Sequence, residues 1–511
     1  MPNKEIVQKI LSQIGKRKAN HDYFFSKLTT SDWLKPLDEA KLFSSPPAAV
    51  YENDMISFPF WPESQYLARV AAQSPEEVCD IILRIPETDN IRIHTDFAEA
   101  AIAMPGAVAV RWAKKEIRWI EQQGNLFFSM LPKALGKLAK HLAASQNTRE
   151  CLNLLRVLLT TKIIGDSYQR VSPKFDVWCY EQIIQKDIPD ILKHAMVDGL
   201  KLLCRILKKS LNIKPEAQSD DFSAIWRPAI DKSSNNGSKA DVRNVLIDAI
   251  ANGSVQLFND GVSSETISQT LLSFDSTIFK RLALHFFTEI EDFPNAYPLI
   301  FNKDNFHDFR LAQEYNRLLK TAFSKLTPED QAKILFWIQE GPQKTDGEAS
   351  QLQIEKRKAL WQARRLVWLK GQLSKDWEKT YSDLTETIGK VDESDSFAFR
   401  TTSWVGPTSP KSSEDLEKMT AQDIAVFLKE WQPEKEWNSP SPEGLSRILQ
   451  TFVSKNTHCF VENLFSFKGV EPTYARTIID GLTESVKSGQ NIDWPKTIAY
   501  VTWIIGQPRE T

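Results

Sequence analysis

A chain of 511 residues exceeds the usual domain size of roughly 100 to 200, which excludes one compact globule and implies two to four domains or a long repeat array. Hydrophobic residues at 41% and charged residues at 25% are ordinary for a folded protein and exclude a mainly disordered chain. With 64 Lys plus Arg against 66 Asp plus Glu, the net charge of −2 excludes the global field of a histone-like nucleic-acid binder, so any such role must be local.

Only 19 glycines are present, fewer than tight β-turns would demand, and the predicted fold is all-α. The first predicted helix carries Ile6, Val7, Ile10, Leu11 and Ile14 as one stripe, with Gly15 as its stop and Lys16 to Lys18 beyond it. It has no apolar core of secretory type. From Tyr51 to Gln65, Phe58, Phe60 and Trp61 stand around Pro59 and Pro62, which forbid a regular helix and imply an extended aromatic strap. The strap either staples the N-terminal helix onto the first repeat or forms an exposed peptide-binding or ligand-stacking site.

Ser74-Pro75-Glu76, Thr327-Pro328-Glu329 and Ser441-Pro442-Glu443 each place an oxygen-bearing cap, a proline at the first helical position and a carboxylate in the first turn. Helices are therefore predicted to begin at these three points. After Ser74 the apolar positions Val78, Ile81, Ile82 and Ile85, then Phe97, Ala100, Ala101 and Met104, then a third helix to Gln122, give units of about 35 to 45 residues. Further helices are predicted at 132–144, 148–164, 173–186, 189–209, 241–251, 277–290, 306–326, 328–340, 421–431, 442–454, 472–487 and 494–506, none with β-alternation. The pattern is an α-solenoid of HEAT- or armadillo-like helix pairs, broken by loops at 212–239, 341–350 and 392–413. The loops divide it into three repeat segments, 1–211, 240–391 and 413–511. The longest apolar run, Leu152 to Ile164, contains Arg156 and Lys162 and is too short to span a bilayer. Cys79, Cys151, Cys179, Cys204 and Cys459 lie far apart in apolar stretches and are expected to be buried thiols, as in a cytoplasmic protein.

Catalytic motifs are missing. Gly136-Lys137 lacks the first glycine and the hydroxyl of a phosphate-binding loop, and no metalloprotease, esterase-elbow, calcium-loop or dinucleotide signature occurs. His21-Asp22, His307-Asp308 and His285 raise an HD-type metal phosphohydrolase as a remote reading, since such a site gathers His and Asp from several helices. No cofactor or resident metal is expected, and Cys459 has no partnered histidine beyond its neighbour His458.

Two basic-aromatic helices are the strongest candidate binding elements. The first combines Trp112 and Trp119 with Arg111, Lys115 and Arg118, and from Arg111 to Arg149 eight basic residues face only Glu116 and Glu121; Lys133, Lys137 and Lys140 belong to this run. The second sets Lys358, Trp361, Arg365 and Trp368 on one face, flanked by Arg357 and Arg364. Cations for phosphates beside flat rings for bases are what a sequence-tolerant polyanion surface requires. The alternative is that the rings pack between repeats with the arginines lying over them. Seven carboxylates between Asp376 and Asp395 compete with any polyanion at the second helix.

The runs Asp22 to Leu28, Trp33 to Leu37, Ile56 to Pro62 and Tyr66 to Val70 resemble the N-terminal part of large bacterial HEAT-like helical-repeat proteins associated with phage-defence neighbourhoods. Trp404 to Pro407, Ser439 to Leu445 and Asp493 to Pro495 resemble later segments of the same family. The resemblance implies a non-enzymatic scaffold or sensor that binds a protein partner in antiviral defence, with no catalytic residue to transfer. A nucleic-acid-binding regulator is the second reading, and no membrane association is expected. Relatives of this kind extend past the equivalent of Thr511, so a longer chain or a docking partner beyond the apolar helix Tyr500 to Ile505 is expected.

Overall fold

The computed structural model describes residues 2–14, 17–53, 55–122, 130–164, 170–211, 221–231, 241–342, 351–389, 391, 409–433 and 440–507. The fold is mostly helical and divides into two compact units, Met1–Ala398 and Phe399–Thr511. In the first unit α1 (Lys4–Ile14), α2 (Lys18–Lys27) and α3 (Leu34–Glu39) lead into a hairpin of β1 (Val50–Glu52) and β2 (Met55–Ser57). Pro62, Pro75 and Leu131 each open a helix where a missing or free N–H costs nothing, giving α4 (Pro62–Val70), α5 (Pro75–Arg84) and, after α6 (Ile91–Ala103) and α7 (Gly106–Gln122), α8 (Leu131–Ala144).

The helix predicted over 148–164 is shorter. α9 (Thr148–Leu158) stops where Thr160, Thr161, Ile163 and Ile164 crowd β-branched side chains together, and β3 (Thr161–Ile164) pairs antiparallel with β4 (Arg170–Pro173). This hairpin also replaces the start of the helix predicted from Pro173. The remainder of that segment forms α10 (Val177–Gln182), capped by the Asp176 carboxylate on the Cys179 N–H, then a wide turn at Ile183–Asp187 and α11 (Ile188–Leu211).

Beyond it come α12 (Ser223–Trp226), α13 (Val242–Asn259), α14 (Ser264–Leu272), α15 (Thr277–Ile290), α16 (Phe293–Ile300), α17 (Lys303–His307), α18 (Ala312–Ala322), α19 (Pro328–Glu340), α20 (Gln351–Leu366) and α21 (Lys375–Ile388). The helix predicted over 306–326 is split by an Asp308 to Leu311 bend, with Asp308 turned back onto Arg310. Most of the three predicted loops, the Gly15 stop and Trp404 to Pro407 lie outside the described residues.

Packing in this unit skips a neighbour. One row runs α2, α4, α6, α8, α11, α13, α15, α18, each against the next, and a second runs α1, α3, α5, α7, α9, α11. The buried side chains of both rows form one core from Val7 to Leu369, so the segments expected as 1–211 and 240–391 share it. Each amphipathic helix hides its apolar stripe against a helix remote in sequence, which makes the core cooperative over this length.

The second unit holds α22 (Ser413–Glu417), α23 (Ala421–Glu430), α24 (Pro442–Lys455), α25 (Thr457–Glu462), α26 (Pro472–Lys487) and α27 (Trp494–Ile505) around Leu445, Leu449, Phe460, Leu464 and Ile478. Thr327 and Ser441 cap α19 and α24 through their hydroxyls as the sequence predicts, whereas Ser74 makes no side-chain cap bond. The tightest approach is α24 on α26. A Cβ added at Gly481 would meet Val453 Cβ at 2.8 Å and the Gln450 carbonyl oxygen at 2.9 Å, and backbone cannot swing aside. Gly481→Ala is expected to lower the stability of this unit by about 1–3 kcal/mol, seen as a lower urea midpoint at unchanged slope. An unshifted midpoint would mean the two helices are not in contact there.

Candidate interaction surface

The first basic-aromatic helix, α7, turns its rings inward. Trp112 and Trp119 are buried, the former edge-on to Phe97 and the latter stacked on His94 at 3.6 Å between centroids. Arg111 is held by Glu76 at 3.0 Å and Asp80 at 2.5 Å. Lys115 donates to the carbonyls of Leu83 and Ile85, orphan acceptors at the C-terminal end of α5, and burial lowers its pKa. Arg118 stays exposed, its Nε donating to the Lys114 carbonyl.

In α20 the same inversion recurs. Arg365 is fully inside, donating from Nη1 to Asn316 Oδ1 at 2.8 Å and from Nη2 to the Phe306 carbonyl at 2.6 Å, with the rings of Phe306 and Trp361 against its guanidinium. Burial brings its pKa down to about 10. Trp368 is buried with the Lys320 ammonium over its ring, and the half-buried Trp361 stacks on His307. Arg364 is half-buried; only Arg357 and Lys358 stand exposed, the stem of Lys358 lying against Gly341. The structure thus brings Trp112, Trp119 and Trp368 to the core and leaves Arg111, Arg118, Arg357 and Lys358 exposed, with Arg111 already engaged by Glu76 and Asp80.

Buried charge is used between helices. His94 Nδ1 faces Glu116 Oε2 at 2.7 Å and its Nε2 faces the Thr88 carbonyl at 3.0 Å. Two acceptors facing the ring favour its protonated form; burial pulls its pKa down, but Glu116 outweighs this and the net shift is upward. Arg281 on α15 meets Glu314 on α18 side-on, Nε to Oε2 at 2.7 Å and Nη2 to Oε1 at 2.9 Å, and Glu314 Oε1 also accepts the Ile230 N–H. Arg227 holds the carbonyls of Ala229 and Ile230 and the Asp248 carboxylate. His285, one turn along from Arg281, is kept neutral, burial and then Arg317 pushing its pKa down to about 4.

No group of three His, Cys, Asp or Glu able to hold a metal is found among the described residues. His285 lies among Arg317, Asp231 and Arg227, while His307 lies among Arg365, Lys303 and Glu340, so the two histidines of the hydrolase reading occupy different surroundings. Four cysteines are buried as expected, with burial raising Cys151 to about 12 and Cys179 to about 11. Cys459 corrects the expectation: it is exposed, on the outward side of the short α25 beside the equally exposed His458.

The predicted aromatic strap resolves into the β1–β2 hairpin followed by an extended stretch that ends in the buried Trp61. Val50 pairs with Ser57, Tyr51 with Ile56 and Glu52 with Met55, and every one of these side chains is exposed, including Tyr51, Met55 and Ile56 at 65%, 72% and 56%. The root is fastened to the turn between α5 and α6: Asp89 accepts the Ala49 N–H at 2.7 Å and the Tyr51 hydroxyl at 3.1 Å, Thr88 donates to the Pro47 carbonyl, and the Asn90 amide donates to the carbonyls of Pro47 and Pro59. An apolar ribbon is therefore held out from a rigid base. Sequence reading stopped at the prolines; the alternation Val50, Tyr51, Glu52 against Met55, Ile56, Ser57 across a two-residue turn was the available signal. Among the described residues no helix is long and apolar enough to cross a membrane. Comparison with protein-family models, curated proteins and solved structures finds no match.

Near the ribbon, Glu63 is buried with His21 Nε2 at 3.3 Å from its Oε1, while Glu63 Oε2 and Asp22 Oδ1 have no hydrogen-bond partner. Burial first and Asp22 second raise the Glu63 pKa to about 7. Below pH about 4.5 both folded and unfolded chains hold this proton; between 4.5 and 7 the unfolded chain releases it first, so the folded state loses stability as pH rises and the loss is complete above 7. Glu63→Gln is expected to stabilise the first unit at pH 8 by on the order of 1–3 kcal/mol and to leave pH 4.5 nearly unchanged, read from urea midpoints. Parallel pH profiles for the two proteins would contradict the assignment.

Proposed function

We propose that this chain is a non-enzymatic helical-repeat scaffold, a HEAT- or armadillo-like α-solenoid, that recognises a protein partner in the cytoplasm of a bacterium as part of an antiviral defence system. The two rows, in which most helices pack on the next but one and α8 and α15 on the third along, support the solenoid reading, because stacked helix pairs contact their neighbours in a similar order. The defence role rests on the resemblance carried by the segments around Asp22 to Val70.

The single observation that carries the binding reading is the exposed hairpin. A two-stranded ribbon is marginal in water by itself, and apolar side chains on both its faces are stable in contact with something else. Its unpaired strand edges offer backbone N–H and C=O groups to an extended segment, and Tyr51, Met55 and Ile56 offer apolar surface to grip that segment. Glu116, Glu314 and Arg365 are occupied in holding helices together.

Met55→Asp with Ile56→Asp tests this reading. These side chains touch little of the protein, so the melting temperature should hold while co-purification of the partner from phage-infected cells falls by tenfold or more, together with protection against phage. Unchanged partner recovery and unchanged protection would refute a hairpin-centred interface.

A further inference from the structure

α8 contains no carboxylate, and it presents the exposed Lys137 and Lys140 together with a half-buried Lys133. Lys133 and Lys137 are one turn apart, about 6 Å along the axis. The wide turn at Ile183–Asp187 is laid directly on this helix, because Gly136 has no side chain: a Cβ there would meet Asp187 Oδ2 and Ile183 Cγ1, each at 2.8 Å. That approach brings Lys186, exposed on the turn, to the same side as Lys137, and both act on the buried Asp187 carboxylate. Of the neighbouring acids, Asp190 is taken by Lys140 and Lys193, and Asp176 by the cap of α10. Among the described residues no carboxylate forms an ion pair with Lys133, Lys137 or Lys186.

Beside the lysines stands a flat ring in contact with water. Trp178, second residue of α10, is 48% exposed, and the Lys133 ammonium sits 5.1 Å from its centroid. It is more exposed than any tryptophan named on α7 and α20.

We propose that α8, the Ile183–Asp187 turn and Trp178 form a binding surface for single-stranded nucleic acid, with Lys133, Lys137 and Lys186 on successive phosphates and a base stacked on the indole. Ammonium groups at helical-turn spacing follow a flexible phosphate run, and stacking on an indole accepts any base, so recognition is independent of sequence. An anionic lipid surface would use the same lysines but needs several apolar side chains projecting together, whereas the apolar groups here, Val177 and Trp178 with Met130 at the start of α8, are only about half exposed. The surface is distinct from the β1–β2 hairpin and does not depend on the protein-partner reading.

Fluorescence anisotropy of a labelled twelve-residue oligothymidylate against the full chain tests the proposal. Binding should appear at low salt, weaken with a log–log slope of about −2 as salt rises, and change little when the oligomer is adenylate. Lys137→Glu with Lys186→Glu should cut affinity at least tenfold and flatten the slope; Trp178→Ala should cut it about fivefold or more and leave the slope alone. Arg476→Glu in the second unit should bind as the parent does, and circular dichroism establishes that each variant is folded. No binding at low salt, or equal binding by the variants, overturns the proposal. So does lysine-dependent sedimentation with phosphatidylserine vesicles in the absence of oligonucleotide binding.

Discussion

A carboxylate placed inside a stack of helices must be met by a cation there, since an unpaired buried charge costs several kcal/mol. Glu314 is 99% shielded at its side chain and Arg281 entirely so, and the two meet through a pair of parallel hydrogen bonds. The same carboxylate takes the Ile230 N–H, and the Arg281 guanidinium takes the Pro228 carbonyl. One ion pair therefore locks α15, α18 and the stretch around 228–230 in a single arrangement. Apolar stripes alone would tolerate a helix sliding by one turn; a bidentate pair with two backbone anchors does not.

Buried charge joins helices elsewhere in this unit too, as the His94–Glu116 pair and as an Arg365 guanidinium donating to an amide and a backbone oxygen. His94 and Glu116 join α6 to α7 with Trp119 stacked above them, and Arg365 joins α20 to α18 and to the end of α17. His94, Glu116, Arg281 and Glu314 are thus engaged as fasteners between neighbouring helices. What remains for recognition is peripheral: an apolar ribbon rooted on Asp89, and lysines gathered beside a half-exposed indole. The proposed roles match that division, protein at the ribbon and polyanion at the lysines.

Helix positions were largely legible in the sequence because proline at the first turn and a 3.6-residue stripe are local signals; α15, α19 and α26 have the limits that local reading predicts. The β3–β4 hairpin was hidden, since Leu154 to Leu158 continue a helical stripe right up to the β-branched run that ends it. Faces were harder still. Arg111 and Arg365 both lie on basic-aromatic helices, yet one is at the surface and the other buried, because burial is decided by the helix that packs across, and Asn316 lies 49 residues from Arg365. The amphipathic pattern of α7 equally permits Trp112 and Trp119 to face a partner or the core, and only Phe97 and His94 on α6 settle it. Exposed Cys459 escaped for a similar reason: α25 spans six residues, too few for a stripe to reveal its inner side.

The central claim, that a buried ion pair holds successive helices of a row in register, is tested most directly by a double-mutant cycle on Arg281 and Glu314 followed by urea unfolding of the first unit. The account predicts that Arg281→Met and Glu314→Leu each cost about 3–5 kcal/mol, and that the double variant costs less than either single change, since neither partner is left charged and alone. Single losses below about 1 kcal/mol that simply add in the double variant would contradict it.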